Sequence, residues 1–208
     1  MDKFNITLLR HAESTGNAAE CLQGQNNAPL TKKGERQAKT LAEYWKTHRD
    51  KFDQIISSPQ ERARSTAQII AKTLSTALQF DPAWMERAFG ILEGLPYSEM
   101  LEQDPPPDFY HPYDQIGESG ECLMDLYLRA SKAVQNLLNN PPSSYLIVSH
   151  GALLNMAMYS MLGLSPHNYV RGPIFHFKNT GFAELTYEPD TRVWRVMSFN
   201  NHPHLNQE

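Results

Sequence analysis

An apolar run that stops abruptly at an arginine–histidine pair limits what this chain can become. Ile6-Thr7-Leu8-Leu9 has the length and make-up of a short buried strand, Asn5–Leu9, and it ends in Arg10-His11. Tyr145-Leu146-Ile147-Val148-Ser149 repeats the pattern and ends in His150-Gly151. A third run, Phe52–Ser57, ends in Ser58-Pro59. Between the runs lie helical patterns. Thr31 is placed to cap a helix carrying Ala38, Leu41, Ala42 and Trp45 on one face. Ser58-Pro59, as cap and first-turn proline, open a second helix with Ala63, Ala67, Ile70, Ala71 and Leu74 on one stripe. Strand and helix alternating across short connections build a mostly parallel sheet covered on both faces.

The rest of the chain fits that frame with one interruption. Residues Trp84–Gly117 carry Gly90, Gly94, Pro96 and the cluster Asp104-Pro105-Pro106-Pro107, so an extended excursion is expected, with 95–117 as a lid or specificity segment or else a plain surface crossover. A long helix is expected from Ser119, facing Leu123, Leu126, Tyr127, Ala130, Val134 and Leu137 inward, and another from Gly151 to Met161. Phe182–Tyr187 and Arg192–Phe199 flank Glu188-Pro189-Asp190-Thr191 as a β-hairpin, giving an antiparallel edge. The expected class is α/β, a three-layer α/β/α sandwich, with residues 1–208 as a single domain.

Composition excludes several function classes. With 208 residues and 40% hydrophobic content the chain can bury a core without staples. A formal net charge of −4 gives no basic face for nucleic acid. No secretory leader and no membrane span are read, so a cytoplasmic location is expected. Cys21 and Cys122 form no close motif and are read as reduced thiols. Neither a Gly-rich nucleotide loop nor zinc-type cysteine pairs nor a His-Glu-x-x-His helix is present. His202 and His204 are read as a solvated tail, and Trp45 with Met156, Met158 and Met161 as core.

Ligands of open α/β sheets sit beyond the C-terminal strand ends, where Arg10-His11, Ser58-Pro59 and His150-Gly151 converge. Two of these junctions open helices, whose free N–H groups favour anions, and Gly151 leaves room for a close approach. Arg62 and Arg64 diverge on their helix, and first-turn Arg62 is the better candidate to face the site. Guanidinium forks suit phosphate oxygens, and a neutral imidazole among cations can attack phosphorus. The leaving alkoxide then needs an acid, for which Glu86 is the best-placed carboxyl. Trp84, Tyr97, Phe109, Tyr110 and Tyr113 are candidates to line the substrate's approach.

These motifs resemble the signature of the histidine phosphatase superfamily, the phosphoglycerate mutase-like proteins. Arg10-His11-Ala12-Glu13-Ser14…Asn17 is followed in order by Leu22-Gln23-Gly24…Pro29-Leu30-Thr31…Gly34 and Ser57-Ser58-Pro59…Arg62-Ala63. Phe89-Gly90…Glu93-Gly94, Gly117-Glu118-Ser119 and Val148-Ser149-His150-Gly151 complete the series over almost the whole chain. The resemblance implies His11 as a phosphorylated nucleophile and Arg10, Asn17, Arg62 and His150 as a phosphate pocket. It further implies Glu86 as proton donor, Gln23 as a substrate contact, and neither metal nor cofactor. Ala12, Gly16 and Leu92 depart from the usual glycine and tryptophans, and Leu22-Gln23-Gly24-Gln25 stands where mutases carry Phe-Thr-Gly-Trp. None of the departures removes a reactive group. The implied function is hydrolysis of a small phosphorylated metabolite; a phosphoglycerate mutase-type phosphotransferase and a non-catalytic phospho-ligand binding protein are the alternatives. A homodimer is compatible with the sequence.

Overall fold

A computed structural model describes residues 3–48, 51–102, 111–166 and 172–205. In chain order the elements are β1 (Phe4–Arg10), α1 (Thr15–Ala18), α2 (Lys32–His48), β2 (Gln54–Ser57), α3 (Glu61–Leu74), β3 (Ala77–Phe80), α4 (Tyr97–Leu101), α5 (Leu123–Leu138), β4 (Ser144–Ser149), α6 (Gly151–Met161), β5 (Phe182–Glu188) and β6 (Val193–Asn201). The six strands form one sheet in the order β3-β2-β4-β1-β5-β6. Strands β3, β2, β4 and β1 pair in parallel, whereas β5 runs antiparallel to β1 and β6 antiparallel to β5. The expected class, with its antiparallel edge, is the observed one.

Side chains that alternate along a strand must be buried on both faces here. Ile6 and Leu8 of β1 and Tyr145 and Ile147 of β4 join α5 and α6 in one core. Leu9, Leu146 and Val148 join α2 and α3 in a second core on the opposite face. Both cores are closed to solvent: Leu8, Leu9, Leu146 and Ile147 are fully buried, each such side chain contributing about 1.5–3 kcal/mol. The methionines of α6 and Trp45 lie in these cores, as the sequence led us to expect.

The same layering fixes where a ligand can bind. From β1 the chain runs to α2 on one face, and from adjacent β4 it runs to α6 on the other. The crevice at their carboxyl ends is therefore the topological switch point of the sheet. Register aligns Arg10 with Ser149 across it, and Ser57 of β2 with Val148.

Several local expectations shift. Ser58 caps a turn by accepting from the Gln60 amide at 3.2 Å, and α3 starts only at Glu61 with Gln60 as its N-cap. The long helix α5 begins at Leu123 rather than Ser119, because the Cys122 thiol accepts from the Asp125 amide at 3.3 Å. Asn17 lies in the one-turn α1, and Tyr97–Leu101 is helical within the expected excursion, of which 103–110 lies outside the described residues. Strand β3 was not anticipated, since its residues are mostly exposed and show no apolar alternation. His204 is buried, not solvated: its Nε2 lies 2.9 Å from Thr180 Oγ1, in a short turn packed on α2. Among the described residues no helix is long and apolar enough to cross a membrane.

Candidate active site

His11 continues the line of β1, its amide donating to Ser149 O at 3.0 Å. The carbonyl of His11 accepts from Asn179 Nδ2 at 3.0 Å, so backbone and ring are held from two sides. Nδ1 lies 2.7 Å from the Ala12 carbonyl, which can only accept; the proton therefore resides on Nδ1 and the lone pair on Nε2. Arg62 Nε donates to that Nε2 at 3.2 Å. Burial first, then the charges of Arg62 and Arg10, push the His11 pKa well below its ordinary 6.5.

Arg62 is the second residue of α3 and 1% exposed. Its remaining donors reach the carbonyls of Asn26 and Gly24, both at 2.7 Å, locking the fork at the cavity floor. Gly24 itself needs its positive φ of 52°, and a Cβ there would lie 2.1 Å from Glu93 Oε1. Arg64 points elsewhere, half exposed and paired with Glu61. Arg10 donates through Nη1 to Phe177 O at 2.7 Å.

His150 ends β4, and its ring centroid lies 5.1 Å from that of His11 at an interplanar angle of 58°. Its Nε2 meets Ser58 Oγ at 2.8 Å. Burial, then Arg62, His11 and Arg10, lower its pKa well below 6.5. Three buried nitrogens, Arg10 Nε, His150 Nδ1 and the His204 Nδ1 of the turn packed on α2, have no hydrogen-bond partner among the described residues. Unmet buried polar groups cost about 1–3 kcal/mol each, and those of Arg10 and His150 lie at the two strand ends that border the crevice, where an oxygen-rich ligand can meet them.

Glu86 faces the same crevice. Its Oε1 accepts from the amides of Arg87 (2.9 Å) and Leu153 (3.1 Å), and Oε2 from that of Ala152 (3.2 Å), which ties it to the first turn of α6. Gly151 leaves open the space beside Arg10, whose Nε and Cζ would lie 3.9 Å from a Cβ. A cavity of about 380 Å³ opens over Arg10, His11, Arg62, Glu86 and Gly151. Its outer wall includes Phe89, Tyr97, Ile174 and Phe175, and His150 lies behind the lining.

The other residues singled out from the sequence fall as follows. Gln23 lines the cavity, with Oε1 2.6 Å from Ser14 Oγ. Asn17 is not part of the lining; its Oδ1 accepts from the Ser14 amide at 3.1 Å and from Asn179 Nδ2 at 3.1 Å, so it braces the loop that carries His11. Of the aromatic candidates, Tyr97 borders the cavity, whereas Trp84 is buried core beneath it, its carbonyl accepting from Ser149 Oγ. Tyr113 is exposed and outside the lining, and Phe109 and Tyr110 lie outside the described residues. Sequence reading missed Asn179, the Ile174–Phe177 wall, the Ser58–His150 contact and Arg129. Only Arg129 left a signal: a cation three residues after the inward-facing Leu126 of α5.

Three histidines held neutral make the fold acid-sensitive. His204 is lowered to about 4, mainly by burial, alongside His11 and His150. In the unfolded chain each takes a proton below about 6.5, so stability is retained above that pH and lost as pH falls toward the folded values. Each adds a slope of up to about 1.4 kcal/mol per pH unit. Urea unfolding between pH 7.5 and 5, and a shallower slope in His204→Gln, check this; stability flat with pH contradicts it.

A mostly parallel sheet, its central strands covered on both faces, with paired histidines and arginines at its switch point defines a phosphomonoester-handling α/β protein. The family model of the histidine phosphatase superfamily (branch 1) matches residues 6–202, and the chain belongs to that superfamily. It is 32% identical over 195 residues to the probable phosphoglycerate mutase GpmB of Photorhabdus laumondii, covering 89% of this chain and 86% of that one. It is 30% identical over 201 residues to the uncharacterized phosphatase PhoE of Bacillus subtilis, covering 96% of each. Among solved structures, phosphoserine phosphatase of Entamoeba histolytica in complex with 3-phosphoglyceric acid superposes with a TM-score of 0.76 at 26% identity, over 97% of this chain and 99% of that one.

Proposed function

We propose that this protein is a phosphomonoester hydrolase that works through a phosphohistidine on His11. The observation that carries the reading is the His11 ring: Nδ1 is committed to the Ala12 carbonyl, and the Nε2 lone pair faces the cavity beside Arg62. In the first step Nε2 attacks phosphorus, the ester P–O bond breaks, and Glu86 gives its proton to the departing oxygen. The Ala12 carbonyl supports the positive charge that develops on the ring. In the second step the Glu86 carboxylate takes a proton from water as that water attacks phosphorus. The P–N bond breaks, and neutral His11 is restored. Arg10, Arg62 and the Nδ1 of His150 hold the phosphoryl oxygens throughout.

Water as acceptor is favoured by an open mouth, where Tyr97 is 41% and Ile174 78% exposed. One similar protein is a phosphoserine phosphatase solved with 3-phosphoglyceric acid and another is named a probable phosphoglycerate mutase, in keeping with a small phosphorylated metabolite as substrate here. The reading includes a metal-independent reaction, since two guanidinium groups can offset the phosphoryl charge. It includes a cytoplasmic setting too, which suits the free thiols Cys21 and Cys122.

Glu86→Gln tests the assignment of the acid. An alkyl phosphate needs the proton and should lose about 10²–10⁴-fold in kcat/KM, whereas an aryl phosphate with an acidic phenol should change only a few-fold. For the aryl ester kcat falls instead, because water attack also uses Glu86. Equal losses of kcat/KM on both esters would remove Glu86 from this role.

A further inference from the structure

Glu86 belongs to no helix or strand, yet its backbone groups are met by side chains from three separate places. Gln60, 2% exposed, uses both ends of its amide: Oε1 accepts from the Glu86 amide at 2.6 Å, and Nε2 donates to Gly24 O at 3.0 Å. That same Gly24 carbonyl is an anchor of Arg62. The Glu86 carbonyl accepts from Gln25 Nε2 and from Arg129 Nη2, both at 3.2 Å. Arg129 also donates through Nη1 to the carbonyls of Ala83 (3.0 Å) and Met85 (2.7 Å). Its fork is closed by Glu121, with Nε–Oε1 at 2.8 Å and Nη2–Oε2 at 2.7 Å. Neither Gln60 nor Arg129 lines the cavity, so neither touches the reacting atoms.

We propose that Gln60 and Arg129 are positioning residues for proton transfer by Glu86, holding its peptide from the amide and the carbonyl side. The proposal rests on the acid–base role of Glu86. A general acid must stand within hydrogen-bond reach of the leaving oxygen, and a displacement of about 1 Å costs up to about 10²-fold. The carboxylate's own partners, Ala152, Leu153 and Arg87, are contacts to one of its two protonation states. The backbone clamp is independent of that state and persists through both half-reactions. Arg129 suits the task because its planar fork reaches three carbonyls and a carboxylate at once, which a lysine cannot do. Gln60 couples the clamp to the phosphate end through Gly24 and Arg62.

The test compares kcat/KM for an alkyl phosphate and for 4-nitrophenyl phosphate in the wild type, Gln60→Met, Arg129→Met and Glu86→Gln. Both clamp variants should lose about 10- to 100-fold on the alkyl ester and less than about threefold on the aryl ester. A merely structural role would depress both esters alike, and that outcome, or no loss at all, overturns the proposal. If Arg129→Met does not fold, Gln60→Met decides alone. Glu86→Gln separates the two levels of the argument. Selective loss there with uniform loss in the clamp variants overturns only the clamp, and uniform loss in Glu86→Gln overturns the acid assignment and the clamp together.

Discussion

His11→Ala reduces turnover of every phosphomonoester by at least about 10⁴-fold, the scale on which removal of a covalent nucleophile acts. No neighbouring group substitutes. His150 is the nearest imidazole, but its Nε2 is engaged by Ser58 and its ring stands 5.1 Å away, tilted by 58°. The fold should survive, because the strand-end backbone is held by Ser149 and Asn179 rather than by the ring. Phosphate capture should also survive, since Arg10 and Arg62 keep their carbonyl anchors. Calorimetry with inorganic phosphate separates binding from chemistry. A variant that binds phosphate and is dead supports the nucleophile; one that retains more than about one per cent of turnover refutes it.

Arg62→Ala strikes both binding and architecture. The guanidinium is positioned to give phosphoryl oxygens about two charge-assisted bonds of about 1.5–3 kcal/mol each, so kcat/KM should fall about 10²–10⁴-fold. Its loss also empties a side-chain site that is 1% exposed and removes one donor each from the carbonyls of Asn26 and Gly24, the latter keeping Gln60 Nε2, which lowers Tm. Arg62→Lys should recover little, because an ammonium cannot reach His11, Gly24 and Asn26 as a planar fork does. Arg64→Ala is the internal control: half exposed and paired with Glu61, it should leave both rate and Tm near wild type. Comparable losses in the two alanine variants would contradict the geometry.

How far this was legible without coordinates depends on where each interaction draws its partners. Strands β1 and β4 and helix α6 could be read from uninterrupted apolar runs and a glycine at the junction, because both faces of the strands are buried. Arg62 could be preferred to Arg64 from helical geometry alone. The start of α3 could not be read correctly. Gln60 holds the N-cap position, but its side chain reaches out to Gly24 and Glu86 instead of closing the helix. Strand β3 escaped because an exposed edge carries no burial signal. His204 looked like tail, since nothing local announces that it folds back onto Thr180. The clamp on Glu86 was equally hidden: its partners lie 26 and 43 residues away, and only the sheet's crossovers bring them together.

Trapping the covalent adduct is the most direct measurement. Glu86→Gln, mixed with an aryl phosphate radiolabelled at phosphorus, should accumulate label on the protein because phosphorylation outruns attack by water. After an alkaline quench and digestion, the label should reside on Nε2 of His11, stable to alkali and lost in acid. Absence of label, an acid-stable ester, or label on any other side chain would contradict transfer through this imidazole.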